Sequence, residues 1–169
     1  TIIPFEEMSR HIKNATVAIE DDQFYNHIGI DVMAIGRAAV SNFQQGDLLG
    51  GQGGSTITQQ VIKNSVLDRD KKLSRKVKEA ILSIKIERIM TKEEILAVYL
   101  NESPYGGTIY GVEEASQSFF GKSARDISLA ESAYLAAIPQ APTYFSPYGN
   151  NREALNERKN LVLDRMRLN

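Results

Sequence analysis

Apolar positions recur at intervals of three and four along almost the whole chain, a spacing that predicts helices rather than strands. Met8, Ile12, Ala15 and Ile19 share one helical face, with Pro4 suited to a first turn. Val32, Ile35, Ala39 and Phe43 predict a second helix that ends near Gly46. Ser55 is the expected N-cap of a helix running to about Val66. Leu73, Val77, Ala80, Ile81 and Ile84 form the stripe of a long helix that reaches about Met90. Thr91 with Glu94, and Ser128 with Glu131, are capping boxes opening KEEILAVYLN (92 to 101) and AESAYLAA (130 to 137). Pro139, Pro142 and Pro147 interrupt the pattern, which resumes from about Arg152 to Leu168 with Leu155, Val162 and Arg165 at helical intervals. There is no repeat of fixed period and no clear alternating strand, so the expected fold class is mainly α.

One stretch escapes the pattern. GDLLGGQGG (46 to 54) is too glycine-rich for a regular element and is expected to be a mobile loop exposing Leu48 and Leu49. Composition adds bounds. At 169 residues, 42% hydrophobic and 24% charged, the chain has the make-up of one folded domain with a substantial core. A formal net charge of -1 gives no overall pull toward nucleic acid or anionic membrane, so any electrostatic function is local. Cysteine is absent, which excludes disulfides and Cys-ligated metal sites. No apolar stretch approaches the ~20 residues of a spanning helix. The first residue is Thr, and the expectation is a single domain, 1–169, excised from a longer membrane-anchored protein.

Three segments carry candidate chemistry. In AIEDDQFYNH (18 to 27), Glu20 is followed by Asp21 and Asp22, and neighbouring like charges with partial burial turn a glutamate into a useful base. Composition alone reads the same stretch as a polar turn, and His27 as a structural histidine. In GGSTITQQVIKN (53 to 64), a glycine pair feeds a Ser-Thr helix start, a natural anion site. No Lys precedes the Ser-Thr pair, so this is not a Walker A loop. Thr56, Gln60 and Lys63 share one helix face there; the plain alternative is a capped surface helix. In KKLSRKVKEA (71 to 80), five cations (Lys71, Lys72, Arg75, Lys76, Lys78) surround Glu79, which lies away from the Leu73/Val77/Ile81/Ile84 stripe. Glu79 is either a surface partner of Arg75 one turn away or a second functional carboxylate beside a phosphate-binding cluster. Nucleic acid is disfavoured as the partner of those cations, because the net charge is near zero and no helix-turn-helix signature is present.

Taken in order, E-D-x-x-F-x-x-H-x-G-x-D (Glu20 to Asp31), G-G-S-T-I-T-Q-Q (Gly53 to Gln60) and R-K-x-K-E (Arg75 to Glu79) resemble the peptidoglycan glycosyltransferase family. That family comprises the polymerase domains of class A penicillin-binding proteins and the monofunctional transglycosylases. K-x-E-I-L-x-x-Y-L-N (Lys92 to Asn101), the stretch from Gly107 to Lys122 ending F-F-G-K, and LAAIPQAPTYFSP (135 to 147) extend the resemblance over the whole chain. It implies a lysozyme-like helical lobe with a smaller, flexible, apolar jaw at about 32–51 that dips into the membrane. It also implies polymerisation of lipid II into glycan strands with inversion, releasing undecaprenyl pyrophosphate. Glu20 would be the general base and Glu79 the second catalytic glutamate. Asp21, Phe24, His27, Ser55, Thr56, Gln59, Gln60, Lys63, Lys71, Arg75 and Lys76 would bind substrate.

No cofactor is required by this resemblance, which leaves room for a divalent cation, Mg or Mn, near the pyrophosphate. Its partners would be lipid II, the growing glycan chain, the membrane surface and an attached transpeptidase domain, at the outer face of the bacterial cytoplasmic membrane. Three positions depart from the family pattern. Lys71 stands where an arginine is usual, keeping the charge but losing the bidentate fork. Ala97 replaces a usual Glu, and Glu114 a small residue. The competing functions are a lysozyme-like hydrolase or lytic transglycosylase, and a non-catalytic module binding lipid-linked glycan. A hydrolase, whose leaving group is a sugar, has no need of the cations from Lys63 to Lys78.

Overall fold

In the computed structural model, residues 1–45, 54–65 and 73–168 are described. Their backbone contacts fall into two units, Thr1–Asp22 with Leu96–Asn169, and Gln23–Ile95. The regular elements are helical, as expected, and the described residues add only one isolated bridge, between Pro104 and Tyr110.

The first unit is built on three mutually packed helices, α1 (Arg10–Glu20), α7 (Leu129–Ala136) and α8 (Arg152–Leu168). The face foreseen for α1 is the buried one: Met8, Ile12, Ala15 and Ile19 all lie in the core. Its start differs from expectation. Pro4 opens a separate 3-10 turn, Phe5–Glu7, and α1 begins only after Ser9, whose hydroxyl accepts from the His11 N–H at 3.2 Å. A serine cap satisfies an orphan N–H that Pro4 has no side-chain oxygen to reach. Ala15, Ala18, Ala133, Ala136 and Ala137 are buried where the three helices meet, and small side chains allow close approach of their backbones. Leu155 and Val162, two turns apart, are the buried positions of α8.

An element absent from the sequence expectations is α6 (Val112–Phe120). It starts at Gly111, held at φ +85°, where a Cβ would lie 2.5 Å from the Asn101 carbonyl oxygen. Only glycine takes that conformation against that neighbour without strain. Glu113 of α6 turns inward and accepts from the Ala124 N–H at 2.7 Å, Gln117 at 3.0 Å and the Ser123 hydroxyl at 3.2 Å. Burial works to raise its carboxyl, and these three donors together hold it below the usual range.

In the second unit stand α2 (Val32–Gln45), α3 (Ile57–Ser65), α4 (Leu73–Ile86) and the opening of α5 (Lys92–Glu102). The jaw expectation, 32–51, overlaps α2; Leu48 and Leu49 lie outside the described residues, as does Lys71. Thr56, not Ser55, caps α3. Its hydroxyl accepts from the Gln59 N–H at 3.1 Å while the Gln59 amide oxygen accepts from the Thr56 N–H at 3.0 Å, a full capping box. The Thr91–Glu94 box forms as read, at 2.7 and 3.2 Å. The orientation of α4 differs from expectation, with Ala80 and Ile84 of the stripe only half-buried. Val77 and Ile81 are 54% and 49% exposed, whereas Glu79 and Ser83 are buried at 1% and 0%.

The Ser128–Glu131 box that opens α7 carries a further load, because Lys122 pairs with Glu131 at 2.6 Å. That cation, and then the Ser128 N–H, hold the Glu131 carboxyl at about 2. A depressed carboxyl stabilises the fold fully above its unfolded value of about 4.3 and loses that contribution as pH falls through about 2. Thermal melts of wild type and Glu131→Gln should therefore differ at neutral pH and converge as pH approaches 2. Ser128→Ala should cost about 1 kcal/mol in urea unfolding.

Candidate active site

Chemistry-bearing side chains gather separately in each unit. In the first, Glu20 is the last residue of α1 and Asp21 its C-cap, with the Asp21 N–H bonded to the Val17 carbonyl at 3.0 Å. Asp21 is buried and Asp22 exposed. A helix C-terminus is the negative end of the helix dipole, so a carboxylate there needs compensation. It comes from α8: Arg158 Nη2 lies 3.4 Å from Glu20 Oε1, with side-chain exposures of only 14% and 10%. The same guanidinium donates through Nε to the Ala137 carbonyl at 3.0 Å and lies over the Phe145 ring. Burial pushes Arg158 below its ordinary value, and Glu20 pushes it back up. Arg165, two turns further along α8, donates to the Ile19 carbonyl at 3.2 Å. Tyr99 and Tyr105 are buried nearby, their phenols raised first by burial and then by the Glu20 charge.

In the second unit, Phe24 is fully buried and meets both Tyr25 and His27 edge to face. Lys92 anchors this turn, donating to the His27 carbonyl at 2.7 Å, pairing with Glu87 at 2.7 Å and sitting 4.7 Å over the Phe24 ring. Glu87 also accepts from the Thr58 hydroxyl at 2.6 Å. His27 Nδ1 accepts from the Gly29 N–H at 3.0 Å, which requires that nitrogen to be unprotonated. Thr56 donates its hydroxyl to the Gly29 carbonyl at 2.6 Å. Gly29 thereby ties the Phe24–His27 turn to the start of α3. It also touches α4: at φ +102°, a Cβ on Gly29 would lie 2.5 Å from the Ser83 carbonyl oxygen. Glycine thus lets α4 approach this turn at Ser83, one helical turn after the buried Glu79.

The cations and Glu79 sit on the same unit. Lys76 Nζ bridges the Ser55 hydroxyl at 2.7 Å and Glu79 Oε1 at 2.6 Å. The partner of Glu79 is thus Lys76 rather than Arg75, and the carboxylate is buried rather than on the surface. Among the described residues, Glu79 Oε2 and Arg75 Nε are buried without a hydrogen-bond partner. Such atoms are costly unless a water or ligand completes them. Gln60 is half-buried and Lys63 exposed on α3, while Thr56 and Gln59 are buried and bound to each other.

Ten of the site residues named from sequence therefore lie in the second unit (Phe24, His27, Ser55, Thr56, Gln59, Gln60, Lys63, Arg75, Lys76, Glu79) and two, Glu20 and Asp21, in the first. Sequence reasoning missed Arg158, Lys92 and Glu87 as supporting groups. The available signal for Arg158 was its spacing: Arg158 and Arg165 are seven apart and flank the Leu155/Val162 stripe. Among the described residues, no group of three or more His, Asp or Glu side chains is placed to hold a metal ion.

Known proteins resemble this chain over nearly its whole length. A family model described as Transglycosylase matches residues 1–167. Penicillin-binding protein 1A of Aquifex aeolicus is 48% identical over 164 residues, covering 97% of this chain and 22% of that protein. Penicillin-binding protein 1A/1B of Bacillus subtilis is 44% identical over 168 residues, covering 99% and 18%. Penicillin-binding protein 1A of Pseudomonas aeruginosa is 42% identical over 166 residues, covering 98% and 20%. The chain spans about a fifth of the length of these relatives.

The Gly29 junction makes a direct prediction. Gly29→Ala should lower stability by about 2 kcal/mol or more, because it combines a left-handed backbone with a clash against main chain. Urea unfolding would measure it.

Proposed function

The chain belongs to the transglycosylase family, and on that premise we propose that it polymerises lipid II into peptidoglycan glycan strands, with inversion and release of undecaprenyl pyrophosphate. The observation that carries this reading is Glu20, a nearly buried carboxylate kept beside a guanidinium at the end of α1. As general base it takes the proton of the acceptor's 4-hydroxyl, and the oxygen attacks the donor anomeric carbon from the face opposite the lipid pyrophosphate. This parallels an inverting glycosidase in which a sugar hydroxyl replaces water. Phe24 and His27, fixed by Lys92, and Asp21 at the cap of α1 are read as substrate-contacting walls.

A pyrophosphate leaves with its charge already delocalised, so it needs cations more than an acid. Lys63, Arg75 and Lys76 supply them in this reading, with Lys71 as a further cation, and Glu79 holds the Lys76 ammonium beside Ser55. Ser55 and Gln60 would meet substrate directly. Thr56 and Gln59 would act through the backbone they shape, since their polar groups already serve the cap and Gly29. A divalent ion at the pyrophosphate would draw its ligands mainly from substrate oxygens and water. These cations favour synthesis over glycan hydrolysis.

In this reading α2 forms part of a membrane-facing jaw, outside the cytoplasmic membrane. Val32 and Met33 are 68% and 72% exposed, and Ile28, Ile35 and Val40 are exposed with them. No described helix is long and apolar enough to cross a membrane. A transpeptidase domain elsewhere in the same protein would cross-link the strands.

Glu20→Gln should lower polymerisation of lipid II by about 10²–10⁴-fold with an unchanged circular dichroism spectrum. Soluble fragments from purified cell wall, without polymer from lipid II, would replace the proposal with the hydrolase reading. Val32→Asp/Met33→Asp should weaken binding to anionic liposomes; binding equal to wild type would remove the membrane role of α2.

A further inference from the structure

Glu20 stands in an electrostatically poor position for an anion. The negative end of the α1 dipole and the adjacent Asp21 and Asp22 all oppose its ionisation. From the neighbouring elements, α8 presents Arg158 and Arg165, α7 presents the Ala137 carbonyl that anchors Arg158, and the buried Tyr99 and Tyr105 lie close enough to feel the Glu20 charge. Both phenols are neutral, and among the described residues α8 supplies compensating charge. Arg165 donates to the Ile19 carbonyl, and Arg158 places a cation on the carboxylate itself, at 3.4 Å.

We infer that Arg158 is the positioning residue of the base: it holds Glu20 ionised, aims it, and returns it to the ionised state after each transfer. The inference rests on the transferase reading for its consequence but not for its geometry. The guanidinium cannot follow the carboxylate, because the Ala137 carbonyl and the Phe145 ring hold it from two other directions. When Glu20 accepts the acceptor's proton, the ion pair is lost and Arg158 is left as a nearly buried charge without its counter-ion. That state is costly, and losing the proton to solvent relieves it. Arg158 therefore opposes accumulation of protonated Glu20 and makes the base ready for the next sugar, as a polymerising enzyme requires. The long contact of 3.4 Å suits this task, since a shorter bidentate pair would hold the carboxylate too tightly to act as a base.

The test uses the full chain with Arg158→Gln, Arg158→Met, Arg158→Lys and Arg165→Gln. Two readouts are taken: the pH dependence of kcat/KM on lipid II, and a carbon-detected NMR titration of the Glu20 carboxyl, assigned with Glu20→Gln. Removing the cation disfavours the charged carboxylate, so in the Gln and Met variants the acid limb and the Glu20 midpoint should both move up by about one pH unit. Arg158→Lys keeps a charge and should bring both back toward wild type. Arg165→Gln should lower the melting temperature and move the midpoint less than either neutral Arg158 variant. A Glu20 midpoint unchanged in whichever neutral Arg158 variant folds overturns the inference, however far kcat falls. The titration needs no lipid II. A wild type that makes no polymer but shows the shift therefore removes the transferase reading and leaves the Arg158 assignment standing.

Discussion

A helix that stops inside a protein leaves backbone groups without partners, and the way this chain satisfies them bears on several of the candidate side chains. At helix starts the solution is local. Thr56 with Gln59, Thr91 with Glu94 and Ser128 with Glu131 form capping boxes, each completed within four residues of sequence. At the end of α1 the Asp21 N–H closes locally on the Val17 carbonyl, and the Ile19 carbonyl is met by Arg165 from α8. Glu20 follows that carbonyl directly, and the same α8 brings Arg158 to its carboxylate.

The two carboxylates at the centre of the proposal are kept in different ways. Glu20 faces a guanidinium anchored by a carbonyl and an aromatic ring. Glu79 is more deeply buried and faces a single ammonium that it shares with Ser55, leaving one oxygen without a partner among the described residues. An anchored, delocalised cation suits a group that must lose and regain a proton. A flexible ammonium, half in solvent, suits a group whose task is to position charge for a bound anion. The difference supports the division of roles between base and cation holder.

Gly29 shows how much a residue without a side chain can organise. Its N–H fixes the acceptor nitrogen of His27, its carbonyl takes the Thr56 hydroxyl, and its missing Cβ admits the α4 backbone. Two of the segments singled out from sequence, and the α4 backbone at Ser83, converge on that residue. A polar residue such as Ser83 can occupy the inward face of α4 because its hydroxyl is bonded back to the Glu79 carbonyl at 2.7 Å.

The helices, their order and most of their boundaries were determined by the sequence alone, because apolar spacing and capping chemistry act over three or four residues. The ordered motifs, from Glu20 through Lys92, also carried the family resemblance without any structure. Three features were decided only by the tertiary structure. Glu79 and Ser83 of α4 are buried, with Gly29 packed against the Ser83 carbonyl, while Val77 and Ile81 of the expected stripe are exposed. The α6 helix depends on Gly111 passing close to the Asn101 carbonyl, a contact that periodicity does not encode. The pairing of Glu20 with Arg158 joins residues 138 positions apart. Local pattern can say that a side chain is charged and on a helix; which opposite charge it meets depends on how distant helices pack, and that is a property of the folded chain.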